Sequence, residues 1–197
     1  MPEETLNILA VIGSLHADSV TRVAIRDLVG QLRAAGCAVD VLDLDREPLP
    51  LYDPDTAEDQ PYFAPLKARV ERADVFLLGT PDYHGSISGT MKNFLDYFWR
   101  EFAGKLFVPM VASHEKGLTV IDQLRTVARQ CYAWVIPYSV SFAEDVDVAD
   151  GQVASDALRK RLEMVARDAR VYGGLLARQR HADLASSDPG FLARLRK

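Results

Sequence analysis

The chain is poor in cysteine, with two among 197 residues, and it has no long apolar run. Cys37 and Cys131 form no CxxC or other metal-like pair, so they read as reduced, buried structural thiols. The longest apolar stretches, Ile8 to Ile12 and Val75 to Leu78, are far too short to cross a membrane. The opening Met1-Pro2-Glu3-Glu4 is acidic where an export signal needs positive charge, so a cytoplasmic protein with no membrane partner is expected. Net positive charge is missing as well. A formal charge of −5 excludes most nucleic-acid binders, which need a concentrated basic face. Arg159-Lys160-Arg161 and Arg167 are interleaved with acidic residues and read as a solvated helix face.

Several motifs are also absent. The first apolar run is followed by Gly13-Ser14 without the later glycines of a dinucleotide fingerprint, and no Walker A loop occurs. Gly85-Ser86-Ile87-Ser88-Gly89 is no nucleophile elbow, because its central residue is Ile87. His16, His84 and His114 fall in three separate loops without close paired spacing, so no metal site is expected.

What is present is an alternation of short apolar runs with amphipathic stretches. Strands are expected at Leu6–Ile12, Ala38–Leu44, Asp74–Gly79, Leu106–Ala112 and Trp134–Val140. Helices are expected from Ser19 to about Ala35, over Phe63–Arg72, from Met91 to about Phe102, over Leu118–Tyr132 and from Ser155 to about Gln179. Strands apolar on both faces and separated by helices imply a parallel sheet covered on both sides. The expected class is therefore α/β, a three-layer sandwich. Residues 1–180 would form one domain, and 181–197 a peripheral tail.

Ligands of such sheets bind beyond the carboxyl ends of the strands. The first such loop, Gly13 to Arg22, offers Ser14, Ser19 and Thr21 around a helix start, where free N–H groups and the helix dipole attract an anion. Capping by Asp18 or Ser19 explains one of these residues, but not three hydroxyls with His16 and Arg22. A phosphate site is the better reading, with the Asp18 carboxylate turned outward. The second loop reads Thr80-Pro81-Asp82-Tyr83-His84-Gly85-Ser86-Ile87-Ser88-Gly89-Thr90-Met91-Lys92-Asn93-Phe94-Leu95-Asp96. It resembles the segment P-E-Y-N-G-S-I-P-G-x-L-K-N-x-I-D of the NADPH-dependent FMN reductase family, and the first loop is similar to that family's G-S-x-R-x-x-S-x-N. The likeness runs in order over residues 5 to 178.

This resemblance implies a flavodoxin-like fold with a five-stranded sheet in the order 2-1-3-4-5. It implies that Ser14, His16, Ser19, Val20 and Thr21 hold the FMN phosphate. Pro81, Asp82, Tyr83, His84, Gly85 and Ser86 would hold the ring, with Tyr83 on its face and backbone amides at its polar edge. Ser113 and His114 would lie nearby, where the family shows two glycines after the serine. The implied activity is transfer of electrons from NADPH through FMN to a small acceptor such as a quinone, azo compound, chromate or free flavin. No conventional acid–base residue is expected, because the flavin does the chemistry. A flavodoxin-like electron carrier or a non-catalytic flavin-binding protein is the alternative, although flavodoxins carry a different phosphate loop. The aromatics Phe94, Tyr97, Phe98, Trp99 and Phe102 cover more than one helical face, and the resemblance implies a homodimer or homotetramer with this helix in the interface.

His16 stands where the family has arginine. Histidine changes charge near neutrality, whereas arginine stays charged throughout. FMN affinity is therefore expected to fall, by about tenfold or more, between mildly acidic pH and pH 8. Fluorescence titration of wild type and His16→Arg checks this, with riboflavin as the phosphate-free control. A flat wild-type curve, or one unchanged in the variant, refutes the assignment.

Overall fold

The computed structural model describes residues 5–138 and 140–196. Its first half alternates as the sequence predicts, with β1 (Asn7–Ile12), α1 (Val20–Ala34), β2 (Ala38–Asp43), α2 (Phe63–Arg72) and β3 (Val75–Tyr83). There follow β4 (Ser86–Ile87), α3 (Gly89–Asp96), β5 (Leu106–Ala112), α4 (Leu118–Gln130), β6 (Trp134–Val135) and β7 (Val140–Phe142). The chain ends with α5 (Glu144–Asp147), the small hairpin β8 (Val148–Ala149) and β9 (Gln152–Val153), and the long α6 (Asp156–Ala185).

The parallel order is β2-β1-β3-β5, with β6 and β7 both on the far side of β5. This is the expected flavodoxin-like order with its fifth strand broken in two. Pairing stops at Phe107↔Val135 and resumes at Met110↔Val140, so between these pairs the edge segment is two residues longer than β5. Pro137 falls in that break and has no N–H to donate to a ladder. Strand residues alternate cleanly between the two faces. Ile8, Ala10, Val75, Leu77, Leu106 and Val108 pack beneath α1 and α6. Leu9, Val11, Phe76, Leu78 and Phe107 pack beneath α2, α3 and α4.

Three expected boundaries move. Strand three runs on to Tyr83, because its later residues pair with β5 as far as Pro81↔Ala112 and then with β4. The helix expected to reach Phe102 ends at Asp96, and a 3-10 turn at Arg100–Phe102 follows. That bend turns Phe94, Tyr97, Phe98 and Phe102 into the core, where they are buried, and only Trp99 is half-exposed. The aromatic surplus thus goes into packing and supplies no second apolar face. The last helix continues past Gln179 to Ala185, so position 180 lies inside it, and Leu192 of the tail is buried against Gly104.

At the amino ends of the strands, Lys105 is almost completely buried. Its Nζ donates to the carbonyls of Val70 and Glu71, both at 2.8 Å, in the last turn of α2. Burial pulls its pKa down to about 7; nearby Arg180 adds to the shift, while Asp74, Glu71 and Glu101 oppose it. The unfolded lysine keeps its proton up to about pH 10.4. Between these values the unfolded chain binds more protons, so stability rises with pH there. Denaturant unfolding from pH 7 to 9.5 should show this rise, and Lys105→Met should lose that part of the slope. An unchanged slope in the variant refutes the assignment.

Candidate functional site: a cleft over the ends of three strands

The turn after β1 and the hairpin after β3 are tied at Gly13. The hydroxyls of Ser88 and Thr90 donate to the Gly13 carbonyl at 2.6 and 2.8 Å, and the Gly13 amide donates to the Gly79 carbonyl at 2.8 Å. A Cβ at Gly13 would stand 2.9 Å from Met91 Cβ and 3.0 Å from Ser88 Oγ, so only glycine permits this approach. Ser88 also caps α3 by accepting the Met91 amide, and Thr80 Oγ1 accepts the Ser88 amide.

The β3–β4 connection is a two-residue hairpin. Tyr83 pairs with Ser86, and the two residues between them are both left-handed, His84 at φ 56° and Gly85 at φ 75°. Tight hairpins of this kind favour Asn-Gly at those positions, and histidine is among the residues that tolerate them. The Asp82 carboxylate braces the hairpin. One oxygen accepts the Gly85 amide and the other the Ser113 hydroxyl, each at 2.8 Å. The Gly85 amide, expected at the polar edge of a flavin, is thus already engaged. From α4, Gln123 Oε1 accepts Ser86 Oγ–H and the Ile87 amide, while its Nε2 donates to the Gly85 carbonyl at 3.4 Å.

In the first loop, Ser19 caps α1 by accepting the Arg22 amide at 3.2 Å. The amides of Val20 and Thr21 then lie in the first helical turn, where donors have no intrahelical partner. Thr21 is buried, and its Oγ1 is the buried side-chain oxygen without a hydrogen-bond partner among the described residues. Ser14 is buried, and His16 and Asp18 are exposed, with the Asp18 amide donating to His16 Nδ1 at 3.1 Å. That leaves Nε2 as the His16 nitrogen able to meet an anion.

Arg22 does not join the hydroxyls. Its side chain is only 6% exposed and forks onto Asp43, with Nε to Oδ2 at 2.8 Å and Nη2 to Oδ1 at 3.2 Å. It also donates to the carbonyls of Ser14, His16 and Ala17, holding the turn from behind. The hydrogen bond to Asp43 raises the Arg22 pKa. Burial alone would raise that of Asp43, but Arg22 overrides it and holds the carboxyl below its ordinary range.

Together these elements enclose a cleft of about 210 Å³ lined by Ser14, His16, Asp18, Ser19, Val20, Thr21, Pro81, Asp82, Tyr83, Ala112, Ser113, His114, Ala143 and Glu144. A basin of about 440 Å³ adjoins it, sharing Asp82, Ser113 and His114 and adding Gly85, Glu115, Gly117, Leu118 and Thr119. Ten expected site residues thus meet in one cleft, and Gly85 lines the neighbouring basin. His84 sits exposed at the hairpin tip, and Ser86 is held by Gln123. Ala143 and Glu144 were not expected there, because they follow an edge strand whose break hides its direction in sequence. A further depression of about 330 Å³ lies at the amino ends of β1 and β2, where Arg69 and Asp40 pair with each other.

The unpartnered Thr21 hydroxyl, the free first turn of α1 and the exposed Tyr83 ring fit an FMN phosphate at one end of the cleft and its ring at the other. This flavodoxin-like sheet, with its cleft beyond β1, β3 and β5, defines a flavin-binding α/β protein. The family profile of the NADPH-dependent FMN reductases matches residues 6–147, and the chain belongs to that family, an oxidoreductase family using FMN and NADPH. The chain is 29% identical over 140 residues to an FMN-dependent NADPH-azoreductase of Staphylococcus haemolyticus, covering 68% of this chain and 74% of that one. It is 27% identical over 154 residues to an FMN-dependent NADPH-azoreductase of Staphylococcus aureus, covering 75% and 81%. Among solved structures, the flavoenzyme NAD(P)H:(acceptor) oxidoreductase of Paracoccus denitrificans shares the fold with a TM-score of 0.67 at 22% identity, covering 83% of this chain and 94% of that one.

Removing the Arg22 guanidinium strands a buried carboxylate and frees three loop carbonyls. Arg22→Met should cost about 3 kcal/mol of unfolding free energy, and Arg22→Met with Asp43→Asn less than the single change. Denaturant melts of both variants check this, and equal losses refute the pairing.

Proposed function

We propose that this chain is an FMN-dependent NAD(P)H oxidoreductase whose acceptor is a flat, uncharged or cationic molecule of the quinone or azo class. The observation that carries the reading is the Thr21 hydroxyl, buried, unpartnered and lining the cleft at the head of α1. A phosphate there would complete it, with Ser14, Ser19, His16 Nε2 and the Val20 and Thr21 amides as its other donors. Tyr83 would lie against the ring, and Ser113 and His114 would flank it from the loop after β5. The chemistry supplied by bound FMN is transfer of an electron pair from NAD(P)H to the acceptor. The chain's own part is to orient both partners and to hold the hairpin still through Asp82 and Gln123.

The lining favours some acceptors over others. Asp18, Asp82, Glu115 and Glu144 border the two basins, and no lysine or arginine does so among the described lining residues. An oxyanion such as chromate is repelled by that rim, whereas a quinone is not. Assembly into a homodimer or homotetramer belongs to the same proposal on the resemblance alone, since Phe94, Tyr97, Phe98 and Phe102 are buried in the core.

The test uses Thr21→Val. FMN affinity should fall about tenfold, the worth of one charge-assisted hydrogen bond, while riboflavin binding changes little. The apoprotein should be no less stable, because the hydroxyl has no partner to lose. Equal effects on FMN and riboflavin refute the phosphate site. NADPH turnover with a quinone separates an enzyme from an electron carrier.

A further inference from the structure

Three residues border both basins: Asp82, Ser113 and His114. Asp82 and Ser113 are spent on framework, bonded to each other and, through Asp82, to the hairpin. His114 is not. Its side chain is 75% exposed, and its Nδ1 stands 3.9 Å from Asp145 Oδ2 at the start of α5. A carboxylate on the Nδ1 side favours keeping a proton on Nδ1, so the proton that the imidazolium can give up is the one on Nε2. The turn behind it is fixed, with the Ser113 amide donating to the Phe142 carbonyl and the Glu115 amide to Ser113 Oγ.

The proposed reaction leaves a need that electron transfer alone does not meet. Reducing a quinone to a hydroquinone, or N=N to HN–NH, adds two electrons and two protons. NAD(P)H gives up a hydride, which accounts for both electrons and one proton. The second proton must come from an acid at the acceptor. FMN chemistry needs no protein acid, but this proton does.

We propose that His114 is a catalytic residue, delivering through Nε2 the second proton that the two-electron acceptor requires and recovering it from solvent. The proposal rests on the oxidoreductase reading above. Asp145 faces the imidazole; the other titratable groups on the two basins are Glu144 from α5, Asp82 from β3, Glu115 on its own loop and His16, with Lys116 the adjacent cation in sequence.

The test compares FMN-loaded wild type, His114→Asn and Asp145→Asn, each first titrated with FMN by fluorescence. The enzymes are reduced anaerobically with NADPH and mixed with a neutral quinone or with ferricyanide, which takes single electrons and no proton, between pH 5.5 and 8.5. In wild type, the quinone rate should fall as pH rises through the range where histidine loses its proton. In His114→Asn, the quinone-to-ferricyanide rate ratio should fall about hundredfold and lose that pH dependence. In Asp145→Asn, the quinone-to-ferricyanide rate ratio should fall less than in His114→Asn, and the His114 ring signals in NMR of the apoprotein should move. Parallel losses with both acceptors, or a pH limb that survives in His114→Asn, overturn the proton-donor role while leaving the oxidoreductase reading intact. Failure of wild type to bind FMN overturns both.

Discussion

The site depends on how closely the turn after β1 approaches the start of α3. With no side chain at Gly13, its carbonyl can take two hydroxyl donors, from Ser88 and Thr90, while its amide is held by Gly79. Those contacts lock two loops that are about 75 residues apart in sequence. The turn after β1 and the β3–β4 hairpin are therefore held at one spacing by the protein's own contacts. Preorganised geometry of this kind spares binding energy that ordering loops would consume.

The electrostatics follow a division of labour. Arginines and lysines near the sheet are turned inward: Arg22 onto Asp43 and three loop carbonyls, Arg69 onto Asp40, Lys105 onto the end of α2. The cleft is left with hydroxyls, helix-terminal amides, imidazoles and carboxylates. An anion there must be held by oriented dipoles rather than by a fixed positive charge, and only where α1 begins. The carboxylates Asp18, Asp82 and Glu144 line the same cleft.

Where this chain departs from its family, the structure gives a physical reason at some positions. At the hairpin tip, His84 replaces asparagine but keeps a left-handed backbone that histidine tolerates. Ser88 replaces proline and becomes both a helix cap and a tie to Gly13. His114 replaces a small residue and places an imidazole between the two basins.

By itself, the sequence determined the α/β alternation, the strand order through resemblance, and most of the cleft lining, Ser14, His16 and Ser19 to Thr21 from the first loop and Pro81 to Tyr83 from the second. These are local signals: apolar periods of two and of 3.6, a helix start rich in hydroxyls, a hairpin with one glycine. Tertiary structure alone decided how the polar side chains were spent. Arg22 looked like a phosphate ligand and proved to be a brace, because its partner Asp43 comes from β2. Gln123 gave no signal at all, since only packing of α4 on the hairpin brings its amide to Ser86 and Ile87. The aromatics after Asn93 looked like two faces of a helix until the bend after Asp96 folded them into one core. Hydrogen-bond partners and turns of this sort are settled by residues distant in the chain, so no window of sequence contains them.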